Sequence, residues 1–241
     1  MRAVAIVAGV LGVSTSAHAY RPFDGTDADV AETGKIELEI APFGYLRAQH
    51  DSALVFANGV FNFGFLPRWE LVVQGAGVYG LDQAPPPRFQ DGGVFLKHVL
   101  REGTLQGERG ISLALECGVL FPTTDEPFID AGLHASLIAS YAWPRVVLHV
   151  NGWIERSSDG HPDVFLGTII EGRTPRIRPV AELFVDRHGD IVEPSVLVGT
   201  IFTVNEHLTF DAGTRLAWAS GAPLYELRAG LTWSFAVFHA K

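Results

Sequence analysis

From Tyr225 to Val237 every second residue is apolar: Tyr225, Leu227, Ala229, Leu231, Trp233, Phe235 and Val237. Glu226, Arg228, Gly230, Thr232 and Ser234 stand between them. A helix would space its apolar positions by three and four, so this alternation predicts a strand, and one longer than the usual five or six residues. The segment before it repeats the code, with Leu208, Phe210, Ala212, Leu216 and Trp218 against Thr209, Asp211, Gly213 and Arg215. Only the short Ser220–Pro223 stretch separates the two, which predicts an antiparallel hairpin. Its polar face carries Asp211, Arg215, Glu226 and Arg228, charges that a dry sandwich core would reject.

Turn signals recur along the rest of the chain and divide it into twelve candidate strands: 35–47, 54–66, 69–80, 92–101, 110–121, 129–142, 145–156, 163–172, 175–186, 191–203, 207–219 and 224–238. Most alternate polar with apolar, as in Ile36, Leu38 and Ile40 against Glu37 and Glu39; the eighth and tenth alternate poorly. Even strand number, roughly ten residues per strand and one charged face together predict an all-β fold: a closed, antiparallel up-and-down transmembrane β-barrel with lipid outside and a polar lumen. Connections after even strands are mostly tight, such as 66–68, 143–144 and 173–174, whereas those after odd strands include the longer 81–91, 122–127 and 157–162. That asymmetry predicts both termini on the periplasmic side, with Arg101–Gly110 as an unexplained long exception. Tyr45, Phe65, Trp69, Tyr79, Phe121, Tyr141, Trp143, Trp218 and Tyr225 cluster towards strand ends, where an interfacial girdle would lie.

Composition narrows the classes. The chain has 241 residues, 47% hydrophobic and 19% charged, with a formal net charge of −9 and only three lysines, Lys35, Lys97 and Lys241. An acidic chain without a basic run cannot neutralise a phosphate backbone, so nucleic acid is not an expected partner. Arg2, the apolar run Ala3–Val13 and the small-x-small Ala17-His18-Ala19 read as a signal peptide over 1–19, leaving 20–241 as a single barrel domain exported to the bacterial outer membrane. The lone Cys117 supports neither an internal disulfide nor a multi-thiolate zinc site.

Period two assigns an inward inventory of charge: Glu37, Glu39, Glu70, Lys97, Arg101, Glu116, Arg145, Glu155, Arg176, Arg178, Glu182, Asp186, Asp211, Arg215, Glu226 and Arg228. Arg145, His149, Asn151 and Glu155 share one such face, opposite Val146, Leu148 and Val150. From these, Glu37, Lys97, His149, Asn151, Glu182, Asp211 and Arg228 are the candidate lumen and selectivity residues. Mixed charge of this kind either lines a hydrated path or pairs internally and plugs the barrel. No histidine forms a His-x-x-x-His or Cys/His pair and no Gly-x-Ser-x-Gly elbow occurs, so no metal, cofactor or catalytic residue is assigned. Asp159 and Asp163 lack the ligand count of a calcium loop, and the triple proline 85–87 reads as a stiffened loop.

Three stretches resemble the family of bacterial outer-membrane transporters described for the MetA pathway of phenol degradation. The first is Arg21-Pro22-Phe23 with Thr26-Asp27-Ala28 and Gly34-Lys35-Ile36-Glu37-Leu38-Glu39. The second runs from Phe95-Leu96-Lys97 through Ile111-Ser112-Leu113-Ala114-Leu115 and Pro122-Thr123 to Ala139-Ser140 and Val150-Asn151-Gly152. The third comprises Ala181-Glu182-Leu183, Leu208-Thr209-Phe210-Asp211-Ala212-Gly213 and Gly230-Leu231-Thr232-Trp233-Ser234-Phe235. The resemblance spans nearly the whole chain after residue 19 and implies an outer-membrane channel passing small, hydrophobic or aromatic solutes passively. It implies no enzyme. The chain departs from the family pattern at His98, at Thr124-Asp125-Glu126-Pro127 and in its six residues beyond Phe235. The series Arg228, Gly230, Trp233, Phe235 is similar to the last-strand signal read by the barrel-assembly machinery, which would make that machinery and outer-membrane lipid the macromolecular partners. Two other readings stay open at this stage: a barrel-embedded lipid-modifying hydrolase, and a sealed structural or adhesive barrel.

Overall fold

Alternating side chains need two environments, and hydrogen-bonded edges need partners; closing the sheet on itself supplies both. A computed structural model describes residues 21–48, 51–82, 87–122, 131–156, 162–219 and 221–238. The proposed signal peptide and the calcium-loop candidate Asp159 lie outside them, as do most of the triple-proline stretch and the residues that follow Pro122. Twelve strands form: β1 (Lys35–Ala48), β2 (Asp51–Leu66), β3 (Trp69–Gly80), β4 (Arg88–Arg101), β5 (Ser112–Leu120), β6 (Gly132–Ala142), β7 (Val146–Arg156), β8 (Pro162–Gly172), β9 (Ile177–His188), β10 (Ile191–Asn205), β11 (Leu208–Ala219) and β12 (Ala222–Ala236). Each pairs antiparallel with its sequence neighbours, and β1 closes on β12 through a register running from Lys35 opposite Ala236 to Ala48 opposite Leu224.

Outside, the wall is apolar. Leu227, Trp233, Leu183, Leu166, Ile154 and Leu137 are all about half exposed or more, a continuous band that water would penalise and lipid accepts. Inside, Glu182, Asn151, Thr209 and Thr232 are essentially inaccessible. The eighth strand, read as a poor alternator, alternates strictly in burial: Asp163, Val-flanked Phe165, Ile169 and Glu171 face the lumen and Val164, Leu166 and Ile170 face out. Leu197 and Ile201 of β10 likewise face inward. Polarity failed as a guide in these two strands because part of the lumen is itself apolar.

Some inward assignments are corrected. Arg145 and Arg176 lie in the β6–β7 and β8–β9 connections and Arg101 ends β4, all three exposed, because a charge at a strand end reaches water without entering the lumen. Phe121 follows β5 and lines the lumen cavity, so it does not belong to an outer girdle. The long connection between β4 and β5 also acquires a reason: it folds across the barrel mouth, where Gln106 Nε2 donates to Ala28 O at 2.9 Å and Leu105 packs on Ala28, Ala114 and Ile138.

Candidate functional site: a lumen occupied by the N-terminal segment

Residues 21–33 have no periodicity that would commit them to the wall. With three Asp and two Thr and no strand pairing of their own, they have backbone amides that need partners from elsewhere. The segment turns into the barrel at Gly34, whose φ of +84° is the left-handed region and where a Cβ would sit 2.2 Å from Phe238 O. It then runs inside the wall, and successive amides are received by inward side chains. Ala31 N donates to Glu70 of β3, and Ala28 N to Ser140 Oγ of β6 at 3.0 Å. Thr26 N donates to Asn151 Oδ1 of β7 at 2.9 Å, and Asn151 Nδ2 returns a bond to Thr26 O at 2.8 Å. Gly25 N and Asp24 N bind the two oxygens of Glu182 of β9 at 2.8 and 2.9 Å.

Charge completes the seat. Arg228 of β12 donates to Pro22 O at 2.8 Å and forks onto Asp24 with two 3.0 Å contacts, while Glu226 holds its other edge at 2.8 Å. Lys97 Nζ of β4 reaches Thr26 Oγ1 at 3.2 Å and Asp27 Oδ1 at 3.4 Å. Arg21 Nε stands 3.6 Å from Asp211 of β11, directly over Gly230, where a Cβ would lie 2.5 Å from that nitrogen. Gly230, assigned from sequence to an assembly signal, therefore also has a packing role inside the lumen.

Every candidate lumen residue faces inward. Lys97, Asn151, Glu182, Asp211 and Arg228 touch the segment; His149 acts through Ser140, with Oγ and Nδ1 2.8 Å apart; Glu37 lines the adjoining cavity. What sequence reasoning missed was that five of them converge on residues 21–33, together with Ser140 and an inward aromatic wall. Trp153 could have been placed inward, since it falls in phase with His149, Asn151 and Glu155.

The segment's own charges respond to this seat. Burial alone would raise Asp24, but the Arg228 guanidinium, helped by Arg215, holds it below its ordinary value. Burial pushes Asp27 up to about 7, only partly opposed by Lys97, with Asp29 and Glu171 adding to the rise. Its Oδ2 is buried with no hydrogen-bond partner among the described residues, as suits a neutral acid. Arg21 is lowered by burial despite Asp211.

A free segment would titrate Asp27 near the ordinary 3.8, so between about pH 4 and 7 the seated form holds the extra proton. Seating is then favoured by acid and weakens as pH rises through that window. Open probability in planar bilayers should rise from pH 5 to pH 8, and Asp27→Asn should flatten the profile; an unchanged slope in that variant rules out Asp27 as its source. Glu182→Ala leaves two seated amides unsatisfied, each costing about 1–3 kcal/mol of seating where water does not replace the carboxylate, and Glu182→Gln should cost less. Protease accessibility of residues 21–33 measures both, and equal protection of the two variants contradicts the bidentate role.

Alongside the segment lies a cavity of about 600 Å³. Its floor includes Phe23 and Asp24, and its wall carries Phe95, Trp153, Phe165 and Phe184. Comparison with known proteins gives the fold. No family model matches the chain, and a search of curated proteins finds no match. Among solved structures it is similar to the COG4313 outer membrane channel from Pseudomonas putida F1, at 10% identity and TM-score 0.59, over 88% of this chain and 100% of that one. It is also similar to the KdgM porin, at 10% identity and TM-score 0.51, over 83% and 99%. At such identity the likeness concerns the barrel itself.

Proposed function

We propose that this chain is an outer-membrane channel for small solutes with hydrophobic or aromatic bodies, held shut at rest by residues 21–33. The observation that carries the reading is the mode of closure. The lumen is filled by a terminal segment seated through separable hydrogen bonds and ion pairs, with an aromatic-walled cavity alongside it. A wall built only for rigidity would fill its lumen with its own side chains, as small barrels do. The shared barrel fold with two channels supports the reading, and the sequence resemblance to the MetA-pathway transporters points to the same solute class.

Residues 1–19 act as the export signal in this account, and the β12 series Gly230, Trp233 and Phe235 is presented to the assembly machinery; Trp233 faces out, where such a contact is made. The hydrolase reading has less support. Ser140 and His149 form a hydroxyl–imidazole pair, but both are buried beneath the segment and Ser140 Oγ already accepts the Ala28 amide. Fractionation with a heat-modifiability gel, followed by liposome swelling in small aromatic amino acids, tests the proposal. Outer-membrane recovery, a mobility shift on boiling and solute uptake are expected. Recovery in detergent-free extract, or lipid turnover without uptake, would contradict it.

A further inference from the structure

Six inward side chains from separate strands form one arc in the half of the lumen facing the longer connections. Phe95 of β4 meets the His134 ring of β6 edge-on at 5.1 Å, and His134 meets Trp153 of β7 at 6.0 Å. Trp153 stacks on Phe165 of β8 at 3.4 Å with planes 3° apart, and Phe165 stacks on Phe184 of β9 at 5.1 Å. Arg215 of β11 ends the arc, 5.0 Å above the Phe184 ring. Gly167 makes the close stack possible, since a Cβ there would lie 2.6 Å from the Phe165 ring.

The charge lining this aromatic wall is one-sided. Glu155 stands directly opposite Asp163 across β7 and β8, an arrangement that like charges disfavour. Asp186 lies diagonal to Asp163 and opposite Phe165, and it lines the same cavity as Glu155 and Asp163. No ion pair reaches Asp186 among the described residues. The basic side chains nearby already have carboxylate partners: Arg215 pairs with Glu193 and Glu226, and the His134 ring meets Glu155 at 2.7 Å and Glu116 at 3.6 Å. His188 meets Asp163 at 2.8 Å. The Ser136 hydroxyl, 5% exposed and lining the same cavity, has no hydrogen-bond partner among the described residues. Aromatic faces, an excess of carboxylate and an unpartnered hydroxyl in one cavity are the features that recognise an organic cation.

We infer that the outer lumen is a binding site for a small aromatic ammonium compound, its ring against Trp153, Phe165 and Phe184 and its charge beside Glu155, Asp163 and Asp186. This rests on the channel reading and names the class of solute that the channel favours. The test is calorimetric titration of the full chain in non-ionic detergent with three probes of one shape: phenethylammonium, 2-phenylethanol and phenylacetate. The ammonium should bind about tenfold more tightly than the alcohol, and phenylacetate should not bind. In Glu155→Gln/Asp186→Asn, shown to be folded by heat modifiability, that preference should vanish while the alcohol's affinity stays. Equal binding of ammonium and alcohol, a preference unchanged in the variant, or no binding of any probe overturns the inference. The channel reading is judged separately, by the conductance of a chain lacking residues 21–33: silence there with the ammonium preference intact removes the channel and leaves the site.

Discussion

A chain lacking residues 21–33 should conduct several-fold more than the full chain in planar bilayers, with sustained openings in place of brief ones. The reason is geometric. Removing the segment deletes no wall strand, and it frees Glu70, Lys97, Asn151, Glu182, Asp211 and Arg228 to be solvated, which an aqueous lumen allows. The barrel should therefore still show heat-modifiable migration. A truncated barrel that folds and stays silent would mean a lumen sealed by its own wall, the structural reading raised by the sequence.

Arg228→Met should open the full chain nearly as far. Arg228 is the one guanidinium described that binds Asp24, Pro22 O and Glu226 together, and all three charged side chains are mostly buried. Breaking such a pair while its carboxylates stay in place costs about 3–5 kcal/mol, more than losing one neutral hydrogen bond. The cost falls mainly on seating, because an unseated Asp24 regains water. Adding Asp24→Asn to Arg228→Met should restore part of the closed population, and single-channel dwell times measure that. If the double variant opens as often as the single one, the Arg228–Asp24 pair is not what holds the segment.

Period two was sufficient to place the wall, since lipid outside and water inside impose opposite polarities on successive residues. It read β12 from Tyr225 to Phe235 and put Lys97, Asn151, Glu182 and Arg228 inside. It faltered where the inner face turns apolar, at Phe165 and Ile169 of β8 and at Leu197 and Ile201 of β10. Residues 21–33 were beyond its reach for another reason. A segment that binds through backbone amides leaves no side-chain pattern, and its receivers come from strands β3, β4, β6, β7, β9, β11 and β12, far apart in sequence. The overlong β4–β5 connection was the visible trace, because Gln106 and Leu105 reach the segment from it.

Amide hydrogen exchange across residues 21–33 in the purified full chain tests the seated segment most directly. Slow exchange is expected at Asp24, Gly25, Thr26, Ala28 and Ala31, the amides received by Glu182, Asn151, Ser140 and Glu70. Exchange at free-chain rates throughout the segment would contradict it.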